Sequence, residues 1–153
     1  MGAERSRWWL RAIAGSAAVA LAAAPVLAQS SVKAVFEKYE LLGTFGADCS
    51  QPAARTNLYF VNRLVDANTV QRDRMIGPTT REWVTFIEQA VELKPNEIRL
   101  SGTRNGMAVS DVWRVEGSRV VVLEVTENGK PIVRDGKYVG SQTWLPVFTR
   151  CAP

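Results

Sequence analysis

Three turn pairs, Asn105-Gly106, Asn128-Gly129 and Asp135-Gly136, punctuate the C-terminal half of this chain at short intervals. Each suits a two-residue type I′ turn, which needs positive φ at both central positions and whose twist matches that of two antiparallel strands. The segments they separate carry alternating apolar and polar side chains, the pattern of strands with one buried face. This spacing predicts an antiparallel meander with strands over 97–104, 107–115, 119–126 and 143–150. Upstream, Leu58 to Val65 and Thr69 to Ile76 flank the polar turn Asp66-Ala67-Asn68 and extend the series. The chain reads as mainly β, with seven or eight strands.

Two segments depart from that period. In 30–42, Val32, Val35, Phe36 and Tyr39 recur at helical spacing behind Ser31, which predicts a short capped helix packed across one end of the sheet. Residues 79–94 carry both patterns. As a helix they offer a Thr79/Glu82 capping box and a stripe of Trp83, Phe86, Ile87 and Ala90. As a strand they offer a run of β-formers from Trp83 to Ile87 and a Pro95-Asn96 turn into Ile98. The strand fits a meander better, because consecutive strands then join through a tight turn. A meander of this size manages its edges by closing into a barrel or folding into a sandwich, and short sequential hairpins favour the barrel.

Residues 1–28 read as a cleavable signal peptide. Arg5, Arg7 and Arg11 precede and enter an apolar run, Ala12 to Ala24, and Val26-Leu27-Ala28 supplies the small residues of a cleavage site. The competing reading, a membrane anchor, needs a longer uninterrupted run than one broken by Gly15, Ser16 and Pro25. The expectation is a periplasmic or secreted bacterial protein, with 29–153 as one domain and no membrane anchor in its mature form. Arg5, Arg7, Arg11 and Glu4 lie in the leader, so 16 basic face 14 acidic side chains in the remainder, from 19 and 15 in the whole chain. That balance, with no clustered basic stripe, gives no footprint for nucleic acid. Arg72 and Arg74, like Arg114 and Arg119, read as solvated strand faces.

Cys49 and Cys151 are the only two cysteines and bracket nearly the whole sheet. In an oxidising compartment they are expected to pair and close the domain into one loop. The chain contains no histidine. Ser-His-Asp and Cys-His catalysis, histidine zinc sites and proximal-histidine haem ligation all need an imidazole, so each is excluded. Glu88 and Glu92 lie about 13–14 Å apart along one strand at ~3.4 Å per residue, too far for a glycosidase pair. The residues point to no catalytic group, no metal and no cofactor.

One strand face sets a carboxylate among apolar side chains: Asp111 shares parity with Met107, Val109, Trp113 and Val115. Arg104 shares a face with Ile98 and Leu100, and Arg150 shares one with Trp144 and Phe148. A buried charge needs a partner, which makes Asp111 with Arg104 or Arg150 the expected internal pair. The functional counterpart is a cavity in which Asp111, Trp113, Arg104 and Arg150 orient the polar end of a ligand. Trp83, Trp113 and Trp144 are expected in the core.

Gly43-Thr44-Phe45 and Arg150 carry a resemblance to the lipocalin-like, or calycin-like, small β-barrels. Those families place a Gly-x-Trp on the first strand and commonly an arginine on the last that packs on the aromatic. The resemblance spans 41–151 and implies an eight-stranded barrel whose cup takes a small apolar or amphipathic ligand. Barrels of this size and compartment also include lysozyme inhibitors, which resemble this chain in outline. That likeness implies an alternative: an envelope protein as partner, recognised by loops such as 129–140 around the basic stretch Lys130 to Tyr138.

Overall fold

The computed structural model describes residues 30–152, and the leader reading of 1–28 falls outside the described residues. The chain opens with α1 (Val32–Lys38), capped by the Ser31 hydroxyl, which accepts from the Ala34 amide at 3.2 Å. Val32, Val35 and Phe36 turn inward from it. Ten strands follow: β1 (Gly43–Gly46), β2 (Tyr59–Asp66), β3 (Thr69–Met75), β4 (Arg81–Lys94), β5 (Glu97–Arg104), β6 (Met107–Glu116), β7 (Arg119–Glu127), β8 (Lys130–Arg134), β9 (Lys137–Tyr138) and β10 (Phe148–Arg150). Every neighbouring pair is antiparallel.

Eight of these strands close into a barrel. β1 to β7 run in sequence order, and β10 closes the ring by pairing with β1 on one edge and β7 on the other. β7 divides its pairing: Arg119 and Val120 face β10, whereas Val125 to Glu127 face β8. The β8–β9 hairpin therefore continues the wall beside the seam without being part of the ring. Asn105, Asn128 and Asp135 take φ of 50°, 47° and 50°, and the glycines after them 78°, 76° and 76°. These are the left-handed pairs that type I′ turns require.

Residues 81–94 form a strand. Trp83, Thr85 and Ile87 alternate inward, and a bulge between Ile87 and Gln89 resets the phase so that Ala90 is buried next. The Thr79/Glu82 box does not form, because Thr80 is spent on a turn in which its carbonyl accepts from the Ile76 amide at 3.0 Å. The last strand is shorter than expected. Residues 143–147 lie outside β10, where Pro146 has no amide to donate, and only Trp144 makes an isolated bridge, to Lys137.

The helix packs on β3 and β4. Its Lys33 amide donates to the Ala67 carbonyl in the β2–β3 turn, which fixes α1 at that end of the barrel. The core runs from Phe36 and Leu41 through Phe45, Phe60, Ile98, Leu100 and Trp113 to Phe148. Cys49 and Cys151 are bonded, closing a loop with a sequence separation of 102. The bond lies beside the β1–β10 seam, where the Cys151 amide donates to the Thr44 carbonyl at 2.9 Å.

Two outcomes follow for stability. Replacing both cysteines with alanine lowers the unfolding free energy by up to ~4.7 kcal/mol, the chain-entropy limit for a loop of this length, read by urea denaturation. Gly102→Ala places a Cβ 1.8 Å from the Phe86 carbonyl oxygen, so β4 has to move away from β5. Its midpoint falls by an amount corresponding to about 1–3 kcal/mol or more.

Candidate functional site

The inward face of β3 carries Val70, Arg72 and Arg74 in succession, and that alternation takes two guanidinium groups into the barrel. Arg72 lies at its centre, 1% exposed. Its Nη1 donates to Asp111 Oδ2 at 2.7 Å and its Nε to Asn62 Oδ1 at 3.0 Å. The guanidinium carbon stands 3.8 Å from the centroid of the Trp113 ring, a cation–π stack removed from water. Asn62 in turn donates to the Leu41 carbonyl at 2.7 Å, which ties the buried pair to the chain leaving α1.

Two further arginines sit toward the end of the barrel away from the helix. Arg104 donates from Nε to Thr85 Oγ1 at 3.1 Å and from Nη1 to Glu127 Oε1 at 2.6 Å, with its guanidinium 3.8 Å over Trp83. Arg74 reaches Glu82 at 3.0 Å and lies 5.3 Å from the same ring. Each interior guanidinium thus has one carboxylate and one aromatic face.

This arrangement corrects several expectations. Asp111 pairs with Arg72, not with Arg104 or Arg150. Arg72 and Arg74 are not solvated strand faces, and the signal was their shared parity with Val70. Arg150 lies outside the barrel interior, where its Nη1 donates to Glu40 Oε2 at 2.8 Å across a partly exposed pair. It stands opposite Phe45 in the register, but its side chain turns to Glu40. Trp144 is 65% exposed and carries Lys137 over its ring at 4.4 Å, so it is no core residue. Asp111, Trp113 and Arg104 do converge.

What they converge on is a cavity of about 70 Å³. Asp111, Trp113, Phe60 and Arg104 form its inner wall. Leu58, Trp83, Ile132, Tyr138 and Leu145 form its more exposed side, at the end of the barrel opposite α1. Ile132, Val133 and Tyr138 come from the β8–β9 hairpin, so the stretch 129–140 is part of the cavity wall as well as a surface loop. The space exceeds what one water needs but is far below the several hundred Å³ of a pocket for a drug-sized or lipid ligand.

Burial sets the electrostatics. It raises the Asp111 carboxyl above its ordinary value, an effect partly offset by Arg72 and Arg104. It also lowers Arg72 to about 10, with Asp111 opposing the shift and Arg104 adding to it. A carboxyl with a raised folded value adds stability that is full below its unfolded value and lost as pH rises through the folded one. Desolvation therefore works against the ion pair, while Coulomb attraction and the Trp113 face hold it together.

Four buried polar atoms of this cluster have no hydrogen-bond partner among the described residues: Asp111 Oδ1, Arg72 Nη2, Trp113 Nε1 and Arg74 Nε, whose 3.0 Å approach to Glu82 is an ion pair without hydrogen-bond alignment. Asp111 and Trp113 both line the cavity.

The pair's worth is measurable by a double-mutant cycle in urea. Arg72→Met or Asp111→Leu alone strands a buried charge and costs about 3–5 kcal/mol, whereas the double variant is expected to unfold at or above the parent's midpoint.

No family model matches the chain, and neither the curated proteins nor the solved structures contain one that matches it.

Proposed function

We propose that this chain is an exported, lipocalin-like barrel that binds a small amphipathic molecule in the cavity at the end opposite α1. The leader pattern and the Cys49–Cys151 bond support export, since disulfides persist in oxidising compartments. The observation that carries the binding reading is the convergence of an apolar rim, from Leu58, Ile132, Tyr138 and Leu145, on an inner wall with unpartnered polar atoms of Asp111 and Trp113. An apolar opening with a few placed polar groups is the usual composition of a small-molecule site. The cavity's size restricts the enclosed part of the ligand to a handful of heavy atoms.

A second reading, recognition of an envelope protein, rests on Trp144. An indole 65% exposed beside Lys137 and Arg134 is the kind of aromatic and basic surface that interfaces use. Deleting Asp135-Gly136 does not separate the two readings, because the hairpin it would shorten also walls the cavity. Trp144→Ala separates them: it removes a protein partner's anchor and leaves the cavity lining unchanged.

The test is a crystal structure of protein recovered from its native envelope fraction, alongside the Val133→Phe variant. The expected outcome is bound density against Asp111 and Trp113 in the parent and none in the variant, whose added ring occupies the space. A parent interior filled by its own side chains, with partner capture abolished by Trp144→Ala, overturns the small-ligand reading in favour of the second.

A further inference from the structure

The interior charges are already balanced pair by pair. Arg72 meets Asp111 at 2.7 Å, Arg74 meets Glu82 at 3.0 Å and Arg104 meets Glu127 at 2.6 Å. A carboxylate entering the cavity finds each guanidinium charge already paired with a carboxylate and Asp111 in the wall, so it gives up its hydration without gaining an unpaired cation. An ammonium entering toward Asp111 approaches a carboxylate already bonded to Arg72, with Arg74 and Arg104 also in the lining. What the lining residues leave unmet, among the described residues, are hydrogen-bond valences: an acceptor at Asp111 Oδ1 and donors at Trp113 Nε1 and Arg74 Nε, with Asp111 5% and Trp113 1% exposed.

Resting on the ligand-binding reading, we propose that the cavity selects a neutral head group that both donates and accepts, a hydroxyl or primary amide on a short alkyl chain. The head donates to Asp111 Oδ1 and accepts from Trp113 Nε1. The alkyl part lies among Leu58, Ile132, Tyr138 and Leu145. A site whose buried polar atoms are completed only by such a head rejects analogues that lack it, because those atoms then stay unpaired.

The experiment is an NMR titration of the oxidised protein, produced from the full-length chain, with four matched four-carbon probes: 1-butanol, butyramide, butyrate and butylammonium. The Trp83 and Trp113 indole N–H signals report on the cavity. The expected result is saturable shifts for butanol and butyramide, at least about tenfold tighter than for butyrate or butylammonium. Trp113→Phe keeps an aromatic face for Arg72 and removes the N–H. Read from the Trp83 signal, it weakens butanol by about fivefold to tenfold.

Butyrate or butylammonium binding best overturns the neutral-head assignment while leaving the cavity as a ligand site. Undiminished butanol affinity in Trp113→Phe also overturns it, since the indole donor would then be unused. No saturable shift from any of the four probes overturns both this inference and the binding reading beneath it.

Discussion

A guanidinium held over an indole ring at the centre of the barrel sets the terms for the side chains around it. Arg72 cannot reach water, so its charge has to be answered inside, and Asp111, Asn62 and the Trp113 ring do so from β6 and β2 while Arg72 itself hangs from β3. Removing two charges from water costs several kcal/mol per ion even after relaxation, and a packed apolar triplet would often be as stable. What the cluster does provide is direction. The bonds from Arg72 to Asn62 and from Asn62 to the Leu41 carbonyl run in series from the barrel centre to the end of α1, so the helix is held to the interior by hydrogen bonds as well as by packing.

The polar column divides the interior in two. On the helix side, Val32, Val35, Phe36 and Leu41 are buried in the common core. On the other side, Arg74 and Arg104 approach the Trp83 ring and their carboxylates lie nearer solvent. The cavity occupies this second side, where strand ends, the β8–β9 hairpin and the segment before β10 meet. Its wall is consequently made of several chain segments far apart in sequence, from Leu58 to Phe148.

The parts of this fold that depend on neighbouring residues were legible in the sequence. Asn-Gly and Asp-Gly pairs located the turns because few other residues accept positive φ, and Ser31 marked the helix because a hydroxyl can answer an orphan amide. The β character of 81–94 was harder to read, since Trp83, Phe86, Ile87 and Ala90 fit a helical stripe; the bulge at Ile87/Gln89 disguised the alternation by shifting its phase. Partner choice inside the barrel was not legible. Asp111 is as compatible by parity with Arg104 or Arg150 as with Arg72, and only the closed ring, which sets β3 across from β6, decides among them. The apolarity of Trp144 suggests burial, but Pro146 and the short β10 leave that segment outside the ring's ladder.

The ring is joined at its weakest place. β1 has four residues and β10 three, the shortest strands to take part in closure, and the Cys49–Cys151 bond lies beside their seam. A closed barrel has no edges; one parted at this seam offers the free rows of amides and carbonyls along β1 or β10 to any strand that comes near. The disulfide therefore also acts against intermolecular β-pairing, and in a reducing environment the first hazard for this protein is self-association through an opened edge.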